Sequence, residues 1–201
     1  MIERRILSVA IVTTFCLGST GCITVAGGKL EPLEITSPSD PSTIEYVVGD
    51  YEFTLEGGKM ISSNAAGRKL SDGIFQLWKK KGYISDFTYV GESGFTDQSE
   101  HRLTLSGSQY GDSSLVAQFL SGATLMVIPH TVDMKYDIQY VYENTRTGAR
   151  CSAEVVDSYR TIFELLLFLA APFSQRGMNT MKGTMGDHIY DQLHRECGFG
   201  M

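Results

Sequence analysis

Two long stretches of alternating polar and apolar residues constrain the fold of this chain more than any other feature. Residues 132–145 (VDMKYDIQYVYENT) and 149–163 (ARCSAEVVDSYRTIF) alternate along most of their length, which is typical of strands with one buried face. The segment Arg146-Thr147-Gly148 separates them and suits a turn. We therefore expect a β-hairpin within an antiparallel or mixed sheet.

Two segments have the periodicity of amphipathic helices. Residues 68–81 have apolar side chains at helical spacing, with Ser71 or Asp72 available as N-cap and Gly82 to end the helix. Residues 178–197 have an apolar residue at every fourth position, and we expect this stripe to face the core, with a partner surface as the alternative. The apolar positions are Leu70, Ile74, Leu77 and Trp78 in the first helix and Met181, Met185, Ile189 and Leu193 in the second.

Further strand-like segments complete the fold class. Residues 44–58, 83–91 and 101–111 are rich in β-branched and aromatic residues. Helices are inserted between strands without strict βαβ alternation. We predict an α+β domain with an antiparallel or mixed sheet of about five strands, helices on one face and a C-terminal helix.

Two apolar runs, 115–128 and 162–173, are too short to span a bilayer as helices. In the first, we expect a helix that breaks near Gly122 and a buried strand after it. Each run is either core or a hydrophobic flank that faces a membrane or a binding partner. We take the core as the expectation for both.

The N-terminal residues have the order of a secretory signal. The charged segment 1–5 (MIERR) precedes an apolar run at 6–17 and the small-residue segment GSTGC at 18–22. The apolar run is shorter than the about 20 residues that a bilayer-spanning helix needs. We expect a cleaved signal, with an uncleaved short anchor as the alternative.

The segment LGSTGC at 17–22 resembles the lipobox of bacterial lipoproteins, in which a small residue precedes the cysteine that becomes lipidated. It departs from that family at Ser19, where Leu, Val or Ile is usual, so cleavage by the ordinary signal peptidase is the alternative. The resemblance implies a signal peptide at 1–21 and acyl chains, such as palmitate, that anchor Cys22 to a membrane. Because Ile23 is not the aspartate that retains such proteins at the inner membrane, it also implies the outer membrane.

The residues after the cysteine divide into a tether and a domain. Residues 22–43 contain three prolines and no apolar periodicity, which predicts a flexible tether. We expect residues 44–201 to form the domain, which the lipoprotein resemblance places in the periplasm. The overall content of 42% hydrophobic and 20% charged residues is typical of a globular chain. A net charge of −6 offers no basic surplus for a phosphate backbone, so we expect no nucleic-acid partner.

The four cysteines have separate fates under this interpretation. Cys16 leaves with the signal and Cys22 is lipidated, so Cys151 and Cys197 remain in a compartment where disulfides persist. A bond between them would close a long loop and stabilise the fold by about 4 kcal/mol, because it lowers the chain entropy of the unfolded state. We predict this disulfide, with two separate buried thiols as the alternative.

The segment GDSSL at 111–115 resembles the nucleophile block of the GDSL family of esterases and lipases, and DQLH at 191–194 has the form of that family's Asp-x-x-His. The resemblance implies Ser113 as nucleophile, with His194 as base and Asp191 to orient it. In that family, however, the serine follows a buried strand at the start of the domain, and the Gly-x-Asn-Asp block is missing here. A turn before a capped helix explains GDSS as well, so we predict no catalytic residues.

A metal site can be drawn from Asp187, Asp191 and His194, which fall on one face of the last predicted helix. A solvated polar face explains the same residues. The chain has no CxxC, Walker-type, HExxH or GxGxxG motif. We therefore predict neither a metal nor a cofactor.

The layout of residues 115–196 is similar to that of small uncharacterised lipoproteins of Gram-negative bacteria. It has an apolar segment that ends in proline, a tyrosine-rich hairpin, an LLLFLAAPF run and a terminal helix. The resemblance implies a non-enzymatic, lipid-anchored envelope protein that binds another envelope component or assists transport or assembly. The alternatives are a GDSL-like serine hydrolase and a carrier of an apolar ligand.

Overall fold

The structure is a computed structural model of the 201-residue chain. It describes residues 21–26, 30–55, 61–96, 99–124, 127–164 and 171–201. The predicted signal segment up to residue 20 lies outside the described residues.

A mixed β-sheet forms the body of the protein. Its strands are β1 (Gly21–Ala26), β2 (Thr43–Leu55), β3 (Ile61–Ser62), β4 (Asp86–Tyr89), β5 (His101–Ser113), β6 (His130–Asn144) and β7 (Arg150–Glu164). The order is β1-β7-β6-β5-β2-β3, and β4 also pairs with β2. The β2 strand is parallel to β4 and β5, whereas the other pairs are antiparallel. The predicted α+β class with a mixed sheet is confirmed. The described residues form seven strands where about five were predicted, and the short strands β1 and β3 are among the additional ones.

The predicted hairpin is β6–β7, and its turn is held by one side chain. The Asn144 Oδ1 atom accepts hydrogen bonds from the backbone N–H groups of Arg146 and Thr147, both at 2.9 Å. Gly148 follows with φ of +72°, a conformation that glycine adopts without strain. The local turn chemistry therefore sets the register in which Glu143 pairs with Arg150.

Helix α1 (Asn64–Lys81) begins earlier than the sequence predicts. Ser63 is its N-cap, and the Ser63 hydroxyl accepts a hydrogen bond from the Ala66 N–H at 3.3 Å. The prediction of Ser71 or Asp72 as the cap was wrong, because both side chains bond to core tyrosines of the sheet, Tyr140 and Tyr46 respectively. Gly82, with φ of +75°, ends the helix as predicted.

Helix α3 (Ala171–Cys197) lies beside α1 on the same face of the sheet, so the prediction of helices on one face is confirmed. The Trp78 indole N–H donates to the Gly186 carbonyl at 3.0 Å where the two helices cross. The predicted methionine stripe is core, as expected. Its members Met181, Met185, Ile189 and Leu193 are all buried.

The opposite face of the sheet is polar and uncovered along the hairpin. Burial alternates along β6, in which Tyr136, Ile138 and Tyr140 are buried while Lys135 and Asp137 are exposed. This alternation is the pattern of an antiparallel sheet with one solvated face.

Part of the segment predicted as a flexible tether has regular structure. Residues 21–26 form β1 and pair with the outer edge of β7. Farther along, the Ser37 hydroxyl donates to the Lys81 carbonyl at 2.7 Å, and Leu30 packs against the core. The chain after Cys22 therefore starts at the sheet edge.

Candidate functional site

Helix α2 (Leu115–Ala123) presents its apolar side chains to solvent. Phe119 is 75% exposed and Leu115 70% exposed. Together with the residues that follow the helix, they form a surface that we call the α2 patch. Its members are Leu115, Val116, Phe119, Leu120, Val127 and Ile128. Contiguous exposed apolar side chains of this kind mark surfaces that contact a membrane or another molecule.

The polar side of α2 faces the protein, which inverts the usual arrangement of a surface helix. Ser121 is fully buried, and its hydroxyl bonds to the His130 Nδ1 atom at 3.0 Å. The Gln118 side-chain amide donates to the Ser113 hydroxyl at 2.8 Å. These polar contacts fix the apolar side of the helix outward.

The expectation that residues 115–128 belong to the core was wrong for the described part of this run, residues 115–124 and 127–128. The helical first half is present, but β6 begins only at His130, and Val127 and Ile128 are exposed instead of forming a buried strand. The Thr124 hydroxyl donates to the Leu120 carbonyl at 2.7 Å and ends the helix. The sequence signal for this orientation was the pair Gln118 and Ser121, three positions apart on one side of the helix.

The α2 patch and Cys22 lie at the same end of the sheet. In the strand register, Cys22 pairs with Phe163, and Phe163 pairs with His130. Two strand spacings separate the Cα atoms of Cys22 and His130, which is about 10 Å. The His130 ring also stacks on the Phe163 ring, with centroids 4.7 Å apart. A continuous set of contacts therefore joins the predicted lipid attachment point to the helix.

The second apolar run begins in β7 at this end of the sheet as well. Ile162 and Phe163 are half-buried in β7, and Glu164 pairs with Gly21. Residues 165–170 lie outside the described residues, so the expectation of core for this part of the run stays a prediction.

The candidate hydrolase residues are held far apart. Ser113 ends β5 near α2, whereas the His194 Nδ1 atom contacts the Phe199 carbonyl at 2.6 Å. The Phe199 ring lies 5.9 Å from the ring of His101, which begins β5. Since the two ends of this strand are about 40 Å apart, Ser113 and His194 do not form a catalytic pair.

The residues considered for a metal site have other partners. Asp187 pairs with Lys81 at 2.6 Å, Asp191 pairs with Arg195, and His194 contacts Phe199. Across the described residues, no group of three or more His, Cys, Asp and Glu side chains is placed to bind a metal ion.

The disulfide between Cys151 and Cys197 is present, with Cα atoms 6.1 Å apart. It joins the start of β7 to the last residue of α3. Phe199, just beyond the bond, is fully buried against Trp78, Tyr142 and Tyr190. The bond therefore holds the C-terminal residues against the core. It lies at the end of the sheet opposite to Cys22.

A small pocket of about 180 Å³ lies between α1 and α3, above the buried face of the sheet. Tyr136, Tyr159 and Met178 contribute to its wall, and Lys69 and Lys182 add ammonium groups. Burial lowers the pKa of Lys182, and the Lys69 charge lowers it further. The volume is below the about 300 Å³ at which ligand pockets for drug-sized molecules begin.

In the described part of the chain, none of the helices has both the length and the hydropathy that crossing a bilayer requires.

No protein-family model matches the chain. A search of curated protein sequences finds no match either.

Several solved structures are distantly similar in shape. A Xanthomonas campestris protein of family DUF330 is 10% identical, with a TM-score of 0.41, over 86% of this chain and 98% of that chain. A neuraminyllactose-binding hemagglutinin homologue from Helicobacter pylori is 11% identical, with a TM-score of 0.38, over 80% of this chain and 91% of that one. PelC of Paraburkholderia phytofirmans, a dodecamer, is 9% identical, with a TM-score of 0.35, over 87% and 97%. A likeness this distant carries no information about function.

Proposed function

We propose that this protein is a non-enzymatic lipoprotein of the bacterial envelope, anchored through acyl chains on Cys22, with its α+β domain in the periplasm and its anchor in the outer membrane. The domain binds another envelope component. The observation that carries the proposal is the lipobox-like segment 17–22, which ends at Cys22, the second residue of the edge strand β1. An anchor on Cys22 would hold the sheet edge directly at the membrane surface.

The cysteine usage supports an exported domain. A structural disulfide between Cys151 and Cys197 persists in oxidising compartments such as the periplasm. Several acyl chains on Cys22 would give stable membrane attachment, because a single chain binds only reversibly.

The uncovered face of the sheet is the surface that we assign to the envelope partner. It contains a groove of about 450 Å³, lined in part by Asp50, Glu52, Asp137 and Glu154. Carboxylates along this groove favour a partner with a positively charged surface, because complementary charge raises the association rate.

The anchor is tested by the intact mass of the protein extracted from its native membranes. We expect a chain that begins at Cys22 and has added acyl mass. The Cys22→Ser variant should lose that mass and its membrane attachment, whereas Cys16→Ser, a cysteine substitution within the signal, should behave like the parent. A parent protein without acyl mass would contradict the proposal.

The partner surface is tested by photo-crosslinking in intact cells. A crosslinking amino acid at Asp137, exposed on the open sheet face, should capture a reproducible neighbouring protein. The same amino acid at Gln76, exposed on α1, is the control and should not capture it. Capture of the same neighbour from both positions, or from neither, would argue against a partner on the open face.

A further inference from the structure

The α2 patch has a composition that suits an uncharged environment. No Asp, Glu, Lys or Arg occurs between Asp112 and His130. The polar groups of the helix that could take up water, at Gln118 and Ser121, contact the protein instead. Solvent therefore meets a surface made largely of leucine, valine, isoleucine and phenylalanine side chains.

We propose that the α2 patch is seated in the lipid–water interface of the membrane that bears the Cys22 anchor. The inference rests on the proposed anchor for its choice of membrane. The domain is then attached at two points of one sheet end, the acyl chains and the helix, and its orientation to the membrane is set. The occupant of the patch is lipid, and not a protein or a second copy of this chain.

Position is the first argument for lipid. The backbone of Cys22 lies about 10 Å from that of His130, which follows the patch and bonds to α2 through Ser121. A membrane that holds the acyl chains of Cys22 is therefore within reach of the patch. A protein that bound the α2 patch would have to compete with the membrane, which lies at the same end of the sheet.

Length and linkage are the second argument. A helix of nine residues is about 14 Å long and cannot cross a bilayer, so it lies in the interface plane with its apolar side down. The patch needs little affinity of its own, because the anchor makes its insertion an intramolecular event at an effective concentration of the order of millimolar.

The absence of basic residues between Asp112 and His130 defines the lipid class. Interfacial helices that depend on anionic lipids carry lysine or arginine on their polar face. The α2 patch has none, so its insertion depends on burial of apolar area, and added salt should change it little. Zwitterionic phospholipid is sufficient.

The test places a tryptophan in the patch of the lipidated protein. Phe119→Trp is reconstituted into phosphatidylcholine vesicles whose acyl chains bear bromine, which quenches tryptophan on contact. Gln76→Trp is the matched control, because Gln76 is also exposed to solvent but lies on α1. Trp78 is the natural tryptophan of the chain and is buried, so it forms the same background in both variants.

We expect fluorescence from position 119 to fall at least twofold in brominated vesicles and to be unchanged by salt, with no fall from position 76. Equal fluorescence with and without bromine at position 119 would overturn the proposal. A blue-shifted signal that is not quenched by bromine and that depends on protein concentration would assign the patch to a second copy and also overturn it.

Failure of the anchor and failure of the docking are distinguishable. An acylated protein with an unquenched Trp at position 119 contradicts the docking and leaves the anchor standing. If the mass shows no acylation, the same protein is mixed with brominated vesicles, and quenching at position 119 still supports the docking. A Phe119→Asp variant should lower vesicle binding of the unacylated protein about tenfold, with a melting temperature like that of the parent because the side chain is exposed.

Discussion

Gly177 of α3 lies directly against the carbonyl oxygen of Thr24 in β1, so close that a Cβ atom at position 177 would sit 1.9 Å from that oxygen. Thr24 is buried, and its hydroxyl lies 3.3 Å from the hydroxyl of Thr161 on β7. The N-terminal half of the long helix therefore holds the strand that follows Cys22 onto the sheet edge, and glycine is required for this approach.

Gly177→Ala should displace β1 and lower the free energy of unfolding by about 1–3 kcal/mol, because the methyl group has no space. Urea unfolding measures the loss, and hydrogen exchange should show faster exchange of the β1 amides. Gly183→Ala on the same helix is the control. The nearest atom to its Cβ would be 3.9 Å away, so alanine there should leave stability unchanged or raise it. Equal effects at both positions would refute the contact.

Removal of the disulfide should lower stability substantially. The bond closes a loop with a sequence separation of 46 residues, for which chain entropy predicts about 4 kcal/mol. The Cys151→Ser–Cys197→Ser double variant should unfold at lower urea concentration by a corresponding amount. Reductant should lower the stability of the parent and leave the double variant unchanged; sensitivity of the double variant to reductant would contradict this assignment.

The pH dependence of stability should include a contribution from His101. Burial lowers the pKa of His101 below its usual 6.5, and Arg146 lowers it further, although Glu100 opposes them. At a pH between the lowered pKa of folded His101 and 6.5, the unfolded chain binds a proton that the folded chain does not bind. The free energy of unfolding is therefore highest above pH 6.5 and declines as the pH falls toward the pKa of the folded state. The Tyr142 hydroxyl also contacts the His101 Nδ1 atom, at 2.7 Å.

Urea unfolding between pH 7.5 and pH 5 measures this decline. His101→Gln should reduce the slope, because the titrating group is removed. His188→Gln, a substitution of a partly exposed histidine whose Nε2 atom contacts the Glu31 carbonyl, is the matched control. An unchanged slope in His101→Gln would show that other groups govern acid stability.

The ion pair between Lys81 and Asp187 should contribute measurably to stability because it links α1 to α3 and Asp187 is buried. Lys81→Ala leaves that carboxylate without its cation and should cost on the order of 1–2 kcal/mol, discounted because Lys81 is partly exposed. Lys79→Ala, two residues earlier, removes a solvent-exposed pair with Asp86 and should change the thermal midpoint little. A larger loss from the Lys79 change would reverse this ranking.

Local patterns accounted for much of the fold. The alternation on either side of Arg146-Thr147-Gly148 predicted β6 and β7, and the spacing from Met181 to Leu193 predicted the buried side of α3. The prediction of the α1 N-cap was wrong because Ser63 and Ser71 are equally able to cap a helix when only the neighbouring residues are considered. Contact of Ser71 with Tyr140, 69 residues away, decided between them.

The candidate site could be predicted only in part. Residues 115–128 are largely apolar. An apolar composition does not distinguish a helix in the core from a helix that faces a membrane. The outward orientation depends on Ser121 meeting His130 and on Gln118 meeting Ser113. Likewise, Ser113 and His194 satisfy a motif in sequence, but β5 separates them by its whole length.

The sequence by itself determined the α+β class and the hairpin, and it predicted the disulfide and a lipid anchor at Cys22, because periodicity, turn chemistry and cysteine number are local or additive properties. The 6.1 Å approach of the Cys151 and Cys197 Cα atoms, which the bond needs, came from the tertiary structure. Only the tertiary structure decided that β1 joins the edge of β7, that the α2 patch faces solvent and that Cys22 and this patch share one end of the sheet. The first and third of these relate segments that are far apart along the chain, and the second depends on side-chain contacts of Ser121 with His130 and of Gln118 with Ser113. They depend on which partner satisfies the free edge of a strand or a buried hydroxyl, and that choice exists only once the chain has folded.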